Sequence, residues 1–201
     1  MPRITAVLAA AAFVAIAALQ VGCSDSDPIT RSEQQPVSSA SNDNPPASYT
    51  LASSASDGVR RIEILDACDP TSFDAVFGVG TCIRNGGRNL FDFIDEVTKK
   101  QEAGAWRFAP AGIEARVGQT LLAVNSGGET HSFTEVRQFG GGLNATLNEL
   151  SHNPNVAPEC QTAELLAAGA SQTDELDEEG TELYQCCIHP WMRTTVNVRG
   201  S

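Results

Sequence analysis

Between Val59 and Leu65 apolar and polar residues alternate with the period of a half-buried strand. Cys68, Asp69 and Pro70 then signal a turn. An apolar patch from Val76 to Val79 precedes Cys82, and Leu90, Phe93, Ile94 and Val97 fall at helical spacing, which predicts a short amphipathic helix from Asn89 to about Lys100. These four are core positions. From Ala105 the period changes. Trp106, Phe108, Pro110, Ile113, Ala115 and Val117 lead into Gly118; Leu121 to Val124 forms a second strand, and His131, Phe133 and Val136 a third. Gly140 to Gly142 interrupts the pattern. The irregular stretch that follows contains a predicted helix around Ala163 to Ala168 and the acidic run Asp174 to Glu179, and Leu183 to Val198 alternates again. Short strands separated by turn residues predict an all-β sandwich, with short helices in an N-terminal extension and in the insertion before the last strand. No segment repeats another.

The two ends of the pattern fix the organisation. Arg3 precedes an alanine-rich apolar run from Ile4 to Leu19, too short and too weakly apolar for a membrane span but suited to a secretory signal. The run closes on Leu19, Gln20, Val21, Gly22 and Cys23, which resembles the lipobox of bacterial lipoproteins, although Gln20 stands where that motif has an apolar residue. Acylation of Cys23 is one outcome, and cleavage after Ala17 is the other. From Ser24 to about Ser56 the chain is Ser, Asn, Asp, Gln and Pro, a composition that cannot offset chain entropy by burial and reads as a tether. The expected organisation is a signal over 1–22, a tether over 23–56 and one domain over 57–201, of which 57–103 is the extension.

The formal charge of -12 excludes nucleic acid as a partner, disfavours an anionic membrane surface and favours basic partners through long-range steering. Cysteine usage changes the picture more. Export places the six cysteines in an oxidising compartment, where they tend to pair. A bridge between Cys68 and Cys82 would close a loop of roughly 15 residues and contribute ~3 kcal/mol. With Cys23 set aside for lipid, five cysteines remain, and an odd number leaves one thiol for another task, such as holding a metal. The Asn144, Ala145, Thr146 triplet matches a glycosylation acceptor without further support, and His152, beside Asn153 and Pro154, reads as a surface histidine.

The chemistry concentrates in Tyr184, Gln185, Cys186, Cys187, Ile188, His189, Pro190, Trp191 and Met192, a tight loop that joins a thiol, an imidazole and a thioether. Thiolate and thioether suit Cu(I), and imidazole accepts both copper oxidation states, so two histidines, one cysteine and a weak methionine compose an electron-transfer copper site. The loop lacks its second histidine. His131, after a glycine-containing turn, is the best placed to supply it. Zinc is a poorer fit, because the chain has no second close Cys/His pair and methionine is a weak zinc ligand.

The segment from Trp106 to Ser201 resembles the cupredoxins of the plastocyanin, pseudoazurin and amicyanin group. The resemblance rests on Asn125 preceding His131 and on the closing Cys186, His189, Pro190, Met192 pattern, the latter most similar to amicyanin. It implies a Greek-key β-sandwich in which His131, Cys186, His189 and Met192 hold one copper ion and Asn125 ties the two ligand loops together. It also implies that His189 meets solvent within an apolar patch, flanked by Pro190 and Trp191. Spacing favours Cys186 over Cys187 as ligand, and adjacent strand side chains point to opposite faces. Cys187 is then free to pair with Cys160.

No Ser/His/Asp set and no phosphate-binding glycine loop is evident, so the chain reads as a carrier and not an enzyme. The expectation is a blue copper protein of the periplasm or the outer face of a bacterial membrane, held there by lipid at Cys23 or else secreted. It would shuttle single electrons between exported redox proteins. The alternative is a copper-binding protein for storage, delivery or sensing.

Overall fold

The computed structural model describes residues 58–200. The signal, the lipid-accepting Cys23 and the tether expected from the sequence lie outside these residues. Eight strands form two four-stranded sheets. In the first sheet β1 (Val59–Leu65) lies between β2 (Arg107–Ala109) and β4 (Thr120–Asn125), and β6 (Ser171–Glu175) forms the far edge. In the second, β8 (Arg193–Arg199) lies between β3 (Gly112–Arg116) and β7 (Gly180–Gln185), with β5 (Thr134–Val136) beyond β7. Each sheet contains one parallel pair, β1 with β4 and β3 with β8, and its remaining pairs are antiparallel.

The alternation read from the sequence is the alternation of burial. Ile62, Ile64, Leu121 and Ala123 of the first sheet and Ala115, Tyr184, Val196 and Val198 of the second are buried in one shared core, so the sheets pack face to face. Burying a large apolar side chain contributes roughly 1.5–3 kcal/mol, which makes this shared face the main source of cohesion. The extension is built into the same core through Phe73, Phe93 and Val97.

Two helices follow β1 in the extension. Helix α1 (Pro70–Phe77) starts where Asp69 accepts a hydrogen bond from the Ser72 amide, with Pro70 at a position whose missing N–H costs nothing. Helix α2 (Leu90–Lys100) is capped in the same way by Asn89, ends in Lys99 and Lys100, and buries Phe93 and Val97 as its spacing requires. The Cys68–Cys82 disulfide ties the start of the extension to the loop between the helices. Helix α1 itself is a departure from the sequence reading: Val76 and Val79, expected as an apolar patch, are 64% and 98% exposed.

Two further expectations need correction. The predicted helix at Ala163 to Ala168 is absent; a single 3-10 turn runs from Pro158 to Thr162 instead, placing Cys160 against Cys187, and the following residues bring Leu166 to His131. His131 and Phe133 do not extend a strand, which begins only at Thr134. A short helix α3 (Ala145–Leu150), capped by Asn144, follows the glycine break and covers the loop end of the sandwich. Among the described residues no helix is long and apolar enough to cross a membrane.

Candidate metal centre

Three of the four expected ligands converge at one end of the sandwich. His131 Nδ1 lies 3.7 Å from Cys186 Sγ, and His189 Nδ1 lies 3.9 Å from the same sulfur. The three ligand atoms fall within 4.8 Å of one another, and all three residues are buried. Met192, the fourth, is fully buried in the same loop. That loop is closed by its own backbone: Cys186 N–H donates to Met192 O at 3.0 Å, and Met192 N–H donates to His189 O at 2.9 Å. The return of the chain into β8 thus fixes the positions of Cys186, His189 and Met192 relative to one another.

The two adjacent cysteines differ in state. Among the described residues Cys186 is the free cysteine, whereas Cys160 and Cys187 form a disulfide. Two backbone amides, those of Ser132 and Ile188, point at Cys186 Sγ from 3.5 and 3.4 Å. Burial works against ionisation of this thiol, but the contacts with His131 and His189 prevail and hold it well below the ordinary thiol range. The two histidines therefore favour the thiolate form of Cys186.

His131 is held from both sides. Its backbone forms a reciprocal bridge with Leu166. On the far side of the ring, Nε2 lies 2.9 Å from Asp66 Oδ2, and the two side chains are 0% and 1% exposed. Asp66 also accepts hydrogen bonds from the backbone amides of Cys68, Gly128 and Glu129. Burial would raise its pKa, yet the His131 contact and the Glu129 and Gly128 amides bring it down to about 2. For His131 burial would lower the pKa, but Asp66 and then Cys186 raise it to about 9. Close approach explains two glycines here: a Cβ at Gly127 would run into the Asp66 carboxylate, and one at Gly128 would come within 2.7 Å of Cys68 Sγ.

The sequence reading missed Asp66 and Ser132. Asp66 is 65 positions from His131, and nothing in its neighbourhood marks it as more than a turn former. Ser132 performs the task assigned to Asn125. Its amide faces Cys186 Sγ and its hydroxyl accepts from the Cys187 amide at 2.8 Å, joining the two ligand loops. Asn125 instead donates to the carbonyls of Glu129 and Leu166, tying the His131 loop to the segment around Leu166.

His189 also departs from expectation. It is 3% exposed, not open to solvent. Phe93 of α2 packs edge-on against the ring at 6.1 Å, and Trp191 covers it at 5.6 Å. The extension roofs this ligand. Trp191 is half-buried, and His152 lies on the surface as expected. A second cluster, Asp66, Cys68 and Glu129, is no metal site, because Cys68 is bonded to Cys82.

No family model and no curated protein matches the chain. The solved structures to which it is similar are cupredoxins. A purple cupredoxin from Nitrosopumilus maritimus is 17% identical, with 69% of this chain and 98% of that one covered and a TM-score of 0.39. A Cu(I) form of an amicyanin mutant is 18% identical over 46% of this chain and 73% of that one, with a TM-score of 0.34. The reduced form of another amicyanin mutant is 20% identical over 46% and 73%, with a TM-score of 0.33.

Proposed function

We propose that this protein is an exported copper protein that carries single electrons through one ion held by His131, Cys186, His189 and Met192. The observation that carries the reading is the convergence of two imidazole nitrogens on one buried thiolate sulfur. The donor set fits the metal: two imidazoles and a thiolate supply strong ligands, and the buried thioether of Met192 suits a weak axial one. Bound there, copper supplies a Cu(I)/Cu(II) couple.

The remaining residues hold the ligands still. Asp66 orients His131 with Nδ1 toward the sulfur, Ser132 spaces the two loops, and the Ser132 and Ile188 amides stabilise charge on Cys186. Ligands held in place in this way would need little rearrangement between the two copper oxidation states. Two disulfides support an oxidising compartment, in keeping with the exported location expected from the N-terminal segment. The acidic surface supports basic redox proteins as partners.

Storage or delivery of copper is the second reading, and the burial of His189 under Phe93 and Trp191 favours it, because a roofed ligand exchanges electrons less readily with a docked protein. Potentiometric titration of the copper-loaded protein separates the two. Reversible cycling of an intense thiolate band supports electron transfer; Cu(I) held without cycling supports storage.

A further inference from the structure

A cavity of about 280 Å³ opens between α1, α2 and α3 and runs inward to His189. Phe73 and Phe93 wall it, Phe77 and Thr146 stand at its mouth, and Glu129 and His189 are its most deeply buried polar residues, 7% and 3% exposed. We propose that this cavity binds a small aromatic molecule carrying a hydroxyl group, a phenol in chemical class, with its ring between the phenylalanines and its hydroxyl hydrogen-bonded to the Glu129 carboxyl group.

Each part of that description follows from a lining residue. The aromatic walls favour a ring, which they can meet edge-on or offset. The volume lies just below the usual range for ligand pockets and admits one ring with small substituents. Trp106 Nε1 donates to Oε2 of Glu129 and is the hydrogen bond that the side chain makes among the described residues. The other carboxyl oxygen retains hydrogen-bonding capacity that a hydroxyl group can use. Specific pockets are mostly apolar with a few convergent polar groups, and this one has that form. It also adjoins the ligand edge that Phe93 and Trp191 shield from a docked protein. The inference goes beyond the electron-carrier reading and stands on the cavity alone.

The test is titration of the full chain, both metal-free and loaded with Cu(I), with phenol and toluene, followed by NMR of the His189 ring and the Trp106 indole. Phenol should shift both signals saturably in both forms. Toluene should bind about tenfold more weakly, since it leaves the buried carboxyl group without that partner. Thr146→Trp, on an exposed position at the mouth, should keep the fold and weaken phenol binding about tenfold or more by filling the entrance. Shifts that do not saturate, equal affinity for toluene, or unchanged phenol affinity in Thr146→Trp would overturn the proposal. Because the metal-free form is titrated alongside, failure of the copper reading leaves the result intact.

Discussion

His131 Nε2 and Asp66 Oδ2 stand 2.9 Å apart in a region where both side chains are essentially sealed from water. A carboxylate behind a ligating imidazole fixes its tautomer and strengthens it as a donor. Asp66→Asn should keep the ring oriented and still bind copper, but with a higher reduction potential, because a negative charge that favours Cu(II) is gone. Asp66→Ala should lower copper affinity by roughly 10–100-fold. Potentiometry and metal titration of both variants beside the parent check this; an unchanged potential in Asp66→Asn would reduce the pair to ordinary packing.

The same pair contributes to the pH dependence of the metal-free protein. The pKa of Asp66 is depressed to about 2, so its contribution is present above the unfolded carboxylate value and is lost as pH falls through about 2. That of His131 is raised to about 9, so its contribution is full below the unfolded value of about 6.5 and is lost as pH rises through 9. Cys186, whose thiol is held below its ordinary range, acts in the opposite direction over the same window, so denaturant unfolding of the metal-free form should show little net change in stability between about pH 6.5 and 9.

Much of the site was legible because its ligands obey local rules. Cys186, His189 and Met192 share one loop, and the disposition of Cys186 and Cys187 follows from spacing and from opposite strand faces. The two disulfides formed as expected, Cys68 with Cys82 and Cys160 with Cys187. What stayed hidden depends on contacts distant in sequence. Asp66 looks like a turn residue until the fold brings it to His131. Phe93 reads correctly as core, but periodicity does not say that the core it joins includes the edge of His189. Helix α1 was missed because Val76, Phe77 and Val79 suggest burial, whereas all three are exposed; capping at Asp69 and Pro70 was the better signal.

Cys187→Ala should retain the copper chromophore while losing stability. It breaks the bridge to Cys160, which spans a sequence separation of 27 residues, and a loop of that size is worth about 3–4 kcal/mol in the chain-entropy model. Chemical denaturation of the loaded variant measures the loss. A chromophore that vanishes with Cys187→Ala would transfer the ligand role to the wrong cysteine.

Met192→Leu should still bind copper and still be coloured, because three strong ligands remain. Its potential should rise, since an apolar side chain replaces a donor that helps stabilise Cu(II). His131→Ala should weaken copper binding and redox cycling together. Copper content and potential of the two variants distinguish an axial thioether from a core methionine; unchanged values in Met192→Leu would place the fourth ligand elsewhere.

The most direct measurement is a Cu(II) titration of the purified protein followed by visible absorption, run in parallel on Cys186→Ala. The convergence of His131 and His189 on Cys186 Sγ predicts an intense thiolate charge-transfer band that saturates at one copper per chain, bleaches reversibly on reduction and is absent from Cys186→Ala. A band that persists in Cys186→Ala, or a parent protein that takes up no copper, would contradict the account.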